Sequence, residues 1–360
     1  MLRRLGYGIG VLVIMGFIGL VLVTIVYQQY LDTPIDPGRA EPAVIKVPKG
    51  NLREVLTVLV DNNLVTQPTL FELHASLTGK ATQVKAGTFF LDYRWTPSEL
   101  LHHLVEGTSP ATRILRLPPG LNQWKVSSRV DKSGLGTRSR FEELMRSKHL
   151  PDMLGLSIPA PDPARFKGLD LSFRAPLEGY LYPGTYEFPW EAAEGDVLER
   201  TTQAFRRVFK ELLVKHDNQV KDLMKTYNLR HHDLVILASL VEKEGVMDDE
   251  RPMIAGVFYN RLRDGWKLQT DPTLVYHPDA YKDRPSPTYR RNKSMPYNTY
   301  ARKGLPPGPI ANPGRASLEA VMNPEKSPFF FFVARADGSR RHTFSKTLDE
   351  HRKKIRKHLK

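Results

Sequence analysis

Cysteine is absent from all 360 residues. This excludes disulfides, thiolate nucleophiles and Cys-ligated zinc. Zinc on other ligands finds no pattern either. His231 and His232 are adjacent and so project in different directions, and no His-Glu-x-x-His or comparable spacing occurs. A glycine-rich phosphate loop and a Gly-x-Ser-x-Gly elbow are also missing, so no metal and no cofactor is expected. Internal repeats are lacking, and acids are in short supply: 39 against 53 Lys and Arg, a net charge of +14. An excess of that size suits nucleic acid, an anionic membrane surface or an acidic polymer, without choosing among them.

Among what is present, the start is the first informative segment. Arg3 and Arg4 precede an uncharged run from Leu5 to Tyr27, whose length of about 34 Å at 1.5 Å per residue suffices for a hydrocarbon core of about 30 Å. A cleaved signal peptide has a shorter apolar part and a small-x-small cleavage site, and the exit sequence here offers no convincing one. The expectation is a retained anchor at 5–27. The basic residues lie before the span and only Asp32 and Asp36 follow it closely, which puts residues 1–4 in the cytoplasm and the rest outside. A nucleic-acid partner is thereby disfavoured, and cell-wall polymer, lipid and secreted substrates become the natural candidates.

Residues 28–42 are polar and proline-rich and read as a stiff linker. A small α/β module is expected over 43–107. It has strands at Ala43–Val47 and Gly87–Tyr93, helices at Leu52–Asn62 and near Leu70–Leu77, and a further helix at Pro97–Glu106 entered through Thr96. The rest, 108–360, reads as a second, mixed α+β domain. Its first part, to about Trp190, is assigned only as mixed strands and loops. Helices then follow over Gly195–Tyr227, His231–Glu244 and Glu250–Arg263. An Asp337-Gly338 turn between Phe329–Ala334 and Arg341–Phe344 predicts a hairpin, and a basic helix from Leu348 to Leu359 closes the chain. The run Phe329–Phe332 reads as a buried interior strand.

The chemistry concentrates at the end of the helix His231–Glu244. It is apolar until it finishes in Glu242-Lys243-Glu244. At 100° per residue Glu244 falls with Leu237, Leu240 and Val241, while Glu242 lies round the helix, so the two acids cannot share a role. A carboxyl held against apolar side chains near a helix C-terminus keeps its proton to higher pH, as a general acid must. Exposed acids at a helix end are the plain structural alternative.

Several blocks, in order, now carry a resemblance: Leu237-Ala-Ser-Leu-Val-Glu-Lys-Glu, Ala255-Gly-Val-Phe-Tyr-Asn-Arg-Leu, Leu268-Gln-Thr-Asp-Pro-Thr-Leu-Val-Tyr, Tyr297-Asn-Thr-Tyr and Gly304-Leu-Pro-Pro-Gly-Pro-Ile-Ala-Asn-Pro-Gly. Ser317-Leu-Glu-Ala, Phe331-Phe-Val-Ala and His342-Thr-Phe continue it, and Glu178-Gly-Tyr-Leu-Tyr-Pro-Gly-Thr-Tyr and Lys85-Ala-Gly-Thr-Phe extend it upstream. Together they resemble the endolytic murein transglycosylase family (MltG, YceG-like), with a LysM-like module at 43–107. The sequence departs from the family at Gly245, where Ser or Thr is common, and at Gly184, where Asp is usual.

The resemblance implies a lyase. One Glu protonates the glycosidic oxygen after N-acetylmuramic acid and then takes the proton of that sugar's C6 hydroxyl, leaving a 1,6-anhydro end. Two-carboxylate glycosidases divide these duties. The matching residue is Glu244. Gln269, Thr270, Asp271, Tyr297, Asn298 and Tyr300 are the implied substrate-binding candidates, although Asp271-Pro272 also reads as a turn and Asn298 as a cap. Glu178 is a candidate supporting acid, and Glu242, Asn260 and Arg261 are supporting scaffold. The implied partners are peptidoglycan strands and the synthases at the inner membrane, with cutting that terminates strand elongation. The alternatives are a non-catalytic, membrane-anchored peptidoglycan-binding module, and a scaffold whose basic C-terminal helix meets anionic lipid.

Overall fold

The computed structural model describes residues 2–107 and 110–358, with side chains from Ile14 onward. The side chains of Arg3 and Arg4, the first part of the apolar run, the expected boundary at 108 and Leu359 lie outside the described residues. The protein is a mixed α+β chain with three two-stranded sheets among the described residues, and it divides into two compact units. The first is Met1–Thr112 with Pro189–Glu191, and the second is Arg113–Phe188 with Ala192–Lys360.

The first unit contains α1 (Leu2–Asp32), β1 (Ala43–Val47), α2 (Leu52–Asp61), α3 (Pro68–Leu77), β2 (Gly87–Leu91) and α4 (Pro97–Glu106). The two strands are antiparallel, with Ala43 opposite Leu91 and Val47 opposite Gly87. The helices bury Leu59, Phe71, Leu100 and Leu104. Thr96 closes a capping box with Glu99 at the start of α4. Along α1, Phe17, Leu20 and Val23 are more than half exposed, and Ile14–Asp32 is long and apolar enough to cross a membrane.

The chain does not become a linker at residue 28. Helix α1 continues to Asp32, and Tyr30 and Leu31 are buried in the core of the small module. The Tyr27 hydroxyl meets His74 Nδ1 at 2.9 Å. Beyond the helix, the Ile35 and Asp36 N–H groups donate to Trp95 and Tyr93 carbonyls. The reason is periodicity: Tyr27, Tyr30 and Leu31 stand at i, i+3 and i+4 and form a short apolar stripe.

The second unit has β3 (Thr112–Leu117), α5 (Gln123–Lys132), α6 (Arg138–Arg146), α7 (Leu150–Met153), β4 (Gly184–Pro189), α8 (Glu194–Lys215) and α9 (Asp217–Tyr227). There follow α10 (His231–Glu244), α11 (Arg251–Arg263), α12 (Pro287–Arg291), α13 (Arg315–Met322), β5 (Phe331–Ala334), β6 (His342–Ser345) and α14 (Leu348–His358). Helix α10 is the axis of this unit. Every residue from His232 to Val241 is buried, because a helix apolar on all sides has to be surrounded; α11 and α13 pack against it. Its one hydroxyl is satisfied, since Ser239 donates to the Ile236 carbonyl and accepts from the Ile310 N–H.

Three expectations need correction. The stretch from 111 to 190 contains three helices among its strands, because their apolar positions are few and their caps, Asn122 and Thr137, carry the signal. The long helix over 195–227 breaks at His216, whose ring turns in to Glu319 at 2.9 Å. The Phe329–Phe332 run is not an interior strand. Only Phe331 is fully buried, and the strand pairs with β6 alone, Phe331 opposite Ser345. Helix α14 packs on both strands of the hairpin.

Candidate active site

Two carboxylates leave the last turn of α10 in different directions and meet different fates. Glu242 turns to the start of α13. It accepts from the Gly314 N–H at 3.0 Å and the Ser317 hydroxyl at 2.8 Å, and Arg251 lies 3.2 Å away with both side chains under a tenth exposed. It thus caps one helix and pins another, with all three contacts converging on its Oε2. Glu244 is part-buried and, among the described residues, its only hydrogen bond is from the Thr270 hydroxyl. Burial pushes its carboxyl up to about 7, with Asp271 adding to the rise and Thr270, Arg261 and Lys243 opposing it. Among the described residues it forms no salt bridge.

Thr270 is held to this task. Its N–H donates to the Thr299 hydroxyl at 3.0 Å, and Thr299 meets Thr273 at 2.9 Å. The preceding residue, Gln269, is exposed and lies at φ 49°. A non-glycine residue rarely takes that left-handed conformation, and such strain concentrates at functional sites. Asp271 is tied down by Arg290 at 2.8 Å and the Tyr300 hydroxyl at 2.6 Å. This leaves Glu244 as the carboxylate with free valence.

The remaining candidates divide. Thr270 bonds Glu244, Asp271, Tyr300 and Arg261 bear on it electrostatically, and Gln269 is the exposed residue that precedes Thr270 in the chain. Tyr297 does not present itself to a ligand: it is 1% exposed and packs on Tyr276 at 4.5 Å. Asn298 is a cap, as its alternative reading allowed. Its amide donates to the Tyr289, Arg290 and Asn292 carbonyls at the end of α12, and its oxygen accepts from Tyr300 and Ala301. Asn260 and Arg261 both hold the chain just before β5, through the carbonyls of Ser327, Phe329 and Phe330.

Glu178 sits 1% exposed in a different polar nest. It accepts from the Gln123 N–H and the Tyr276 hydroxyl, both at 2.8 Å, and from the Asn312 amide at 3.1 Å. Burial pushes it, too, up to about 7. Asn312 continues the nest by accepting from Gly179 and Leu181. Gly179 is at φ 88°, and a Cβ there would lie 2.7 Å from Pro309, so only glycine fits. Sequence reading did not single out Asn312, Gln123, Tyr276, Thr299 or Ser317. Asn312, Thr299, Tyr276 and Ser317 stand inside the quoted blocks, whereas nothing local marks Gln123.

At Gly245 a side chain would have little room, since a Cβ would lie 3.1–3.3 Å from Arg251, Ile254 and the Val241 carbonyl. This accounts for glycine at that departure from the family pattern.

The YceG-like family matches residues 45–357. The chain belongs to that family. Among its YceG-like relatives, an endolytic murein transglycosylase of Bacillus subtilis is 27% identical over 92% of this chain and 89% of its own length. One of Streptococcus pneumoniae is 28% identical over 92% of this chain, which spans 62% of that longer protein. A crystal structure of a YceG-like protein from Listeria monocytogenes aligns with a TM-score of 0.56 and 28% identity, covering 88% of this chain and 99% of that one.

Proposed function

We propose that this chain is a lytic transglycosylase, a lyase, that cuts peptidoglycan strands internally at the bond after N-acetylmuramic acid, with Glu244 as its single acid/base. The observation that carries this reading is the isolation of the Glu244 carboxyl. It is part-buried, raised to about 7, and hydrogen-bonded among the described residues only by Thr270, while Asp271 and Glu242 are committed to Arg290 and Arg251. A hydrolase that divides acid and nucleophile or base duties needs a second free carboxylate.

In the proposed step Glu244 donates its proton to the bridging oxygen as the bond from the anomeric carbon breaks. The C6 hydroxyl of the same sugar then attacks that carbon and returns a proton to the Glu244 carboxylate. No water is consumed, one 1,6-anhydro end forms and the acid is regenerated. Thr270 fixes the carboxyl rotamer, and Gln269 and Tyr300 are placed to contact the sugar. The family and the two relatives' name support the reaction class.

The apolar α1 supports a single-pass inner-membrane anchor, with residues 1–4 cytoplasmic and the catalytic domain periplasmic. Held there, the enzyme would meet nascent strands beside their synthases and end their elongation. The β-α-α-β order of the small module supports a LysM-like, glycan-binding role.

Mass spectrometry of uncrosslinked strands treated with the full chain in detergent tests the reading, run beside Glu244→Gln. Internal cuts with 1,6-anhydro ends, lost in the variant, are expected. Intact strands that still bind the protein would instead make it a binding module.

A further inference from the structure

A cavity of about 710 Å³ opens at the other end of α10, bounded by α8 and the 155–159 segment. From His232 to Glu244 is twelve residues, about 18 Å along the helix axis, so this cavity is not the Glu244 site. Helix α8 turns Arg206, Arg207 and Lys210 toward it, and Arg230 and His231 contribute from the start of α10. Among the described residues no acidic one lines it. Arg230 is partly neutralised by Asp233 at 3.1 Å. Arg206, Arg207 and Lys210 form no ion pair among the described residues, and all three are exposed.

The floor is apolar, with Phe205, Phe209 and Val235. One polar group interrupts it. His232 is 4% exposed, its Nδ1 meets the Tyr180 hydroxyl at 2.7 Å, and its Nε2 has no partner. Burial holds this imidazole neutral, down to about 4. The Nε2 is a buried polar atom without a protein partner among the described residues. Three unneutralised cations and the positive end of a helix beside apolar rings call for a ligand with oxyanions and small apolar groups.

We propose that this cavity binds the peptide stem of the strand being cut, its carboxylates on Arg206, Arg207 and Lys210 and its small side chains on the phenylalanine floor. The assignment of a stem rests on the peptidoglycan substrate proposed above. The cavity's size and apolar floor favour a peptide over a bare phosphate. Occupation of both ends of α10 would fix the register of the strand on the enzyme, so that peptide-bearing strands are held better than bare glycan.

Calorimetric titration of the full chain in detergent micelles tests this with three probes: a free stem tetrapeptide, the same peptide with its carboxyls methyl-esterified, and inorganic phosphate. Tetrapeptide binding should weaken about tenfold on esterification and about tenfold in R206Q/R207Q/K210Q, a loss of roughly one charged contact. The three substituted side chains are exposed, so the fold is retained, which thermal unfolding checks. On strands, the triple variant should raise KM about tenfold for peptide-bearing glycan and leave kcat/KM on peptide-free glycan unchanged. Equal binding by wild type and variant would overturn the proposal, as would phosphate displacing the peptide at equal concentration. If neither strand is cut by wild type, the transglycosylase reading fails, and the titration still decides what the cavity binds.

Discussion

Glu178 and Glu244 are both pushed up to about 7 by burial, yet their surroundings differ in the respect that matters for chemistry. Around Glu178 each oxygen already accepts from a buried donor, so the carboxyl closes a joint between α5, the 276 segment and the loop at Asn312. Around Glu244 a single hydroxyl takes one oxygen. A raised pKa therefore marks burial, and the open valence marks the acid that can give its proton away. Glu242, two residues from Glu244 on the same helix, makes the point again, because the Gly314 N–H, the Ser317 hydroxyl and Arg251 all converge on one of its oxygens and tie it to the fold.

Breaking the comparison should produce graded effects. Glu244→Gln is expected to lower kcat on peptidoglycan strands by about 10³-fold, since general acid and base functions vanish together, with the unfolding temperature nearly unchanged. Glu242→Gln should destabilise by about 2 kcal/mol in denaturant unfolding, because buried Arg251 loses one of its carboxylate partners and keeps the exposed Asp248. Glu178→Gln should cost about 2 kcal/mol, as its NH₂ must face a donor, and activity should follow only the folded fraction.

The pH dependence sharpens the contrast. A carboxyl whose folded pKa is raised gives stability that is full below its ordinary value and is lost as pH rises through the folded value. For Glu178 that loss runs from 4.5 to about 7. The Glu178→Gln stability curve should therefore be flatter over this range than wild type. For Glu244 the same shift appears in rate, with activity falling above pH 7 as the proton is lost. Thr270→Val should lower kcat about tenfold and move that descending limb to higher pH, because the lost hydrogen bond favoured the ionised form. The smallest effect belongs to Gln269→Gly. Relief of the left-handed strain should add up to about 1 kcal/mol of stability, while KM for strands rises through the lost amide.

Where local signals were strong the sequence was legible. The α4 capping box, the bounds of α10 and the Asp337-Gly338 hairpin all stand where cap, periodicity and turn residues placed them. The helical-face argument also separated Glu242 from Glu244. The helices between 123 and 153 carry little more than their caps as a signal, and the stripe of Tyr27, Tyr30 and Leu31 is too short to be told apart from the apolar run before it. Tyr297 and Asn298 have the right chemistry for sugar, but burial, a property of the fold, assigns them to core and cap. Gln269 gained weight only through its backbone angle.

The most direct test of a single acid/base at Glu244 is cleavage of uncrosslinked strands in ¹⁸O-enriched water, read by mass spectrometry for wild type and Glu244→Gln. The account predicts 1,6-anhydro ends with no ¹⁸O from wild type and no cleavage from the variant. Reducing ends carrying ¹⁸O, or cleavage that survives the substitution, would contradict it.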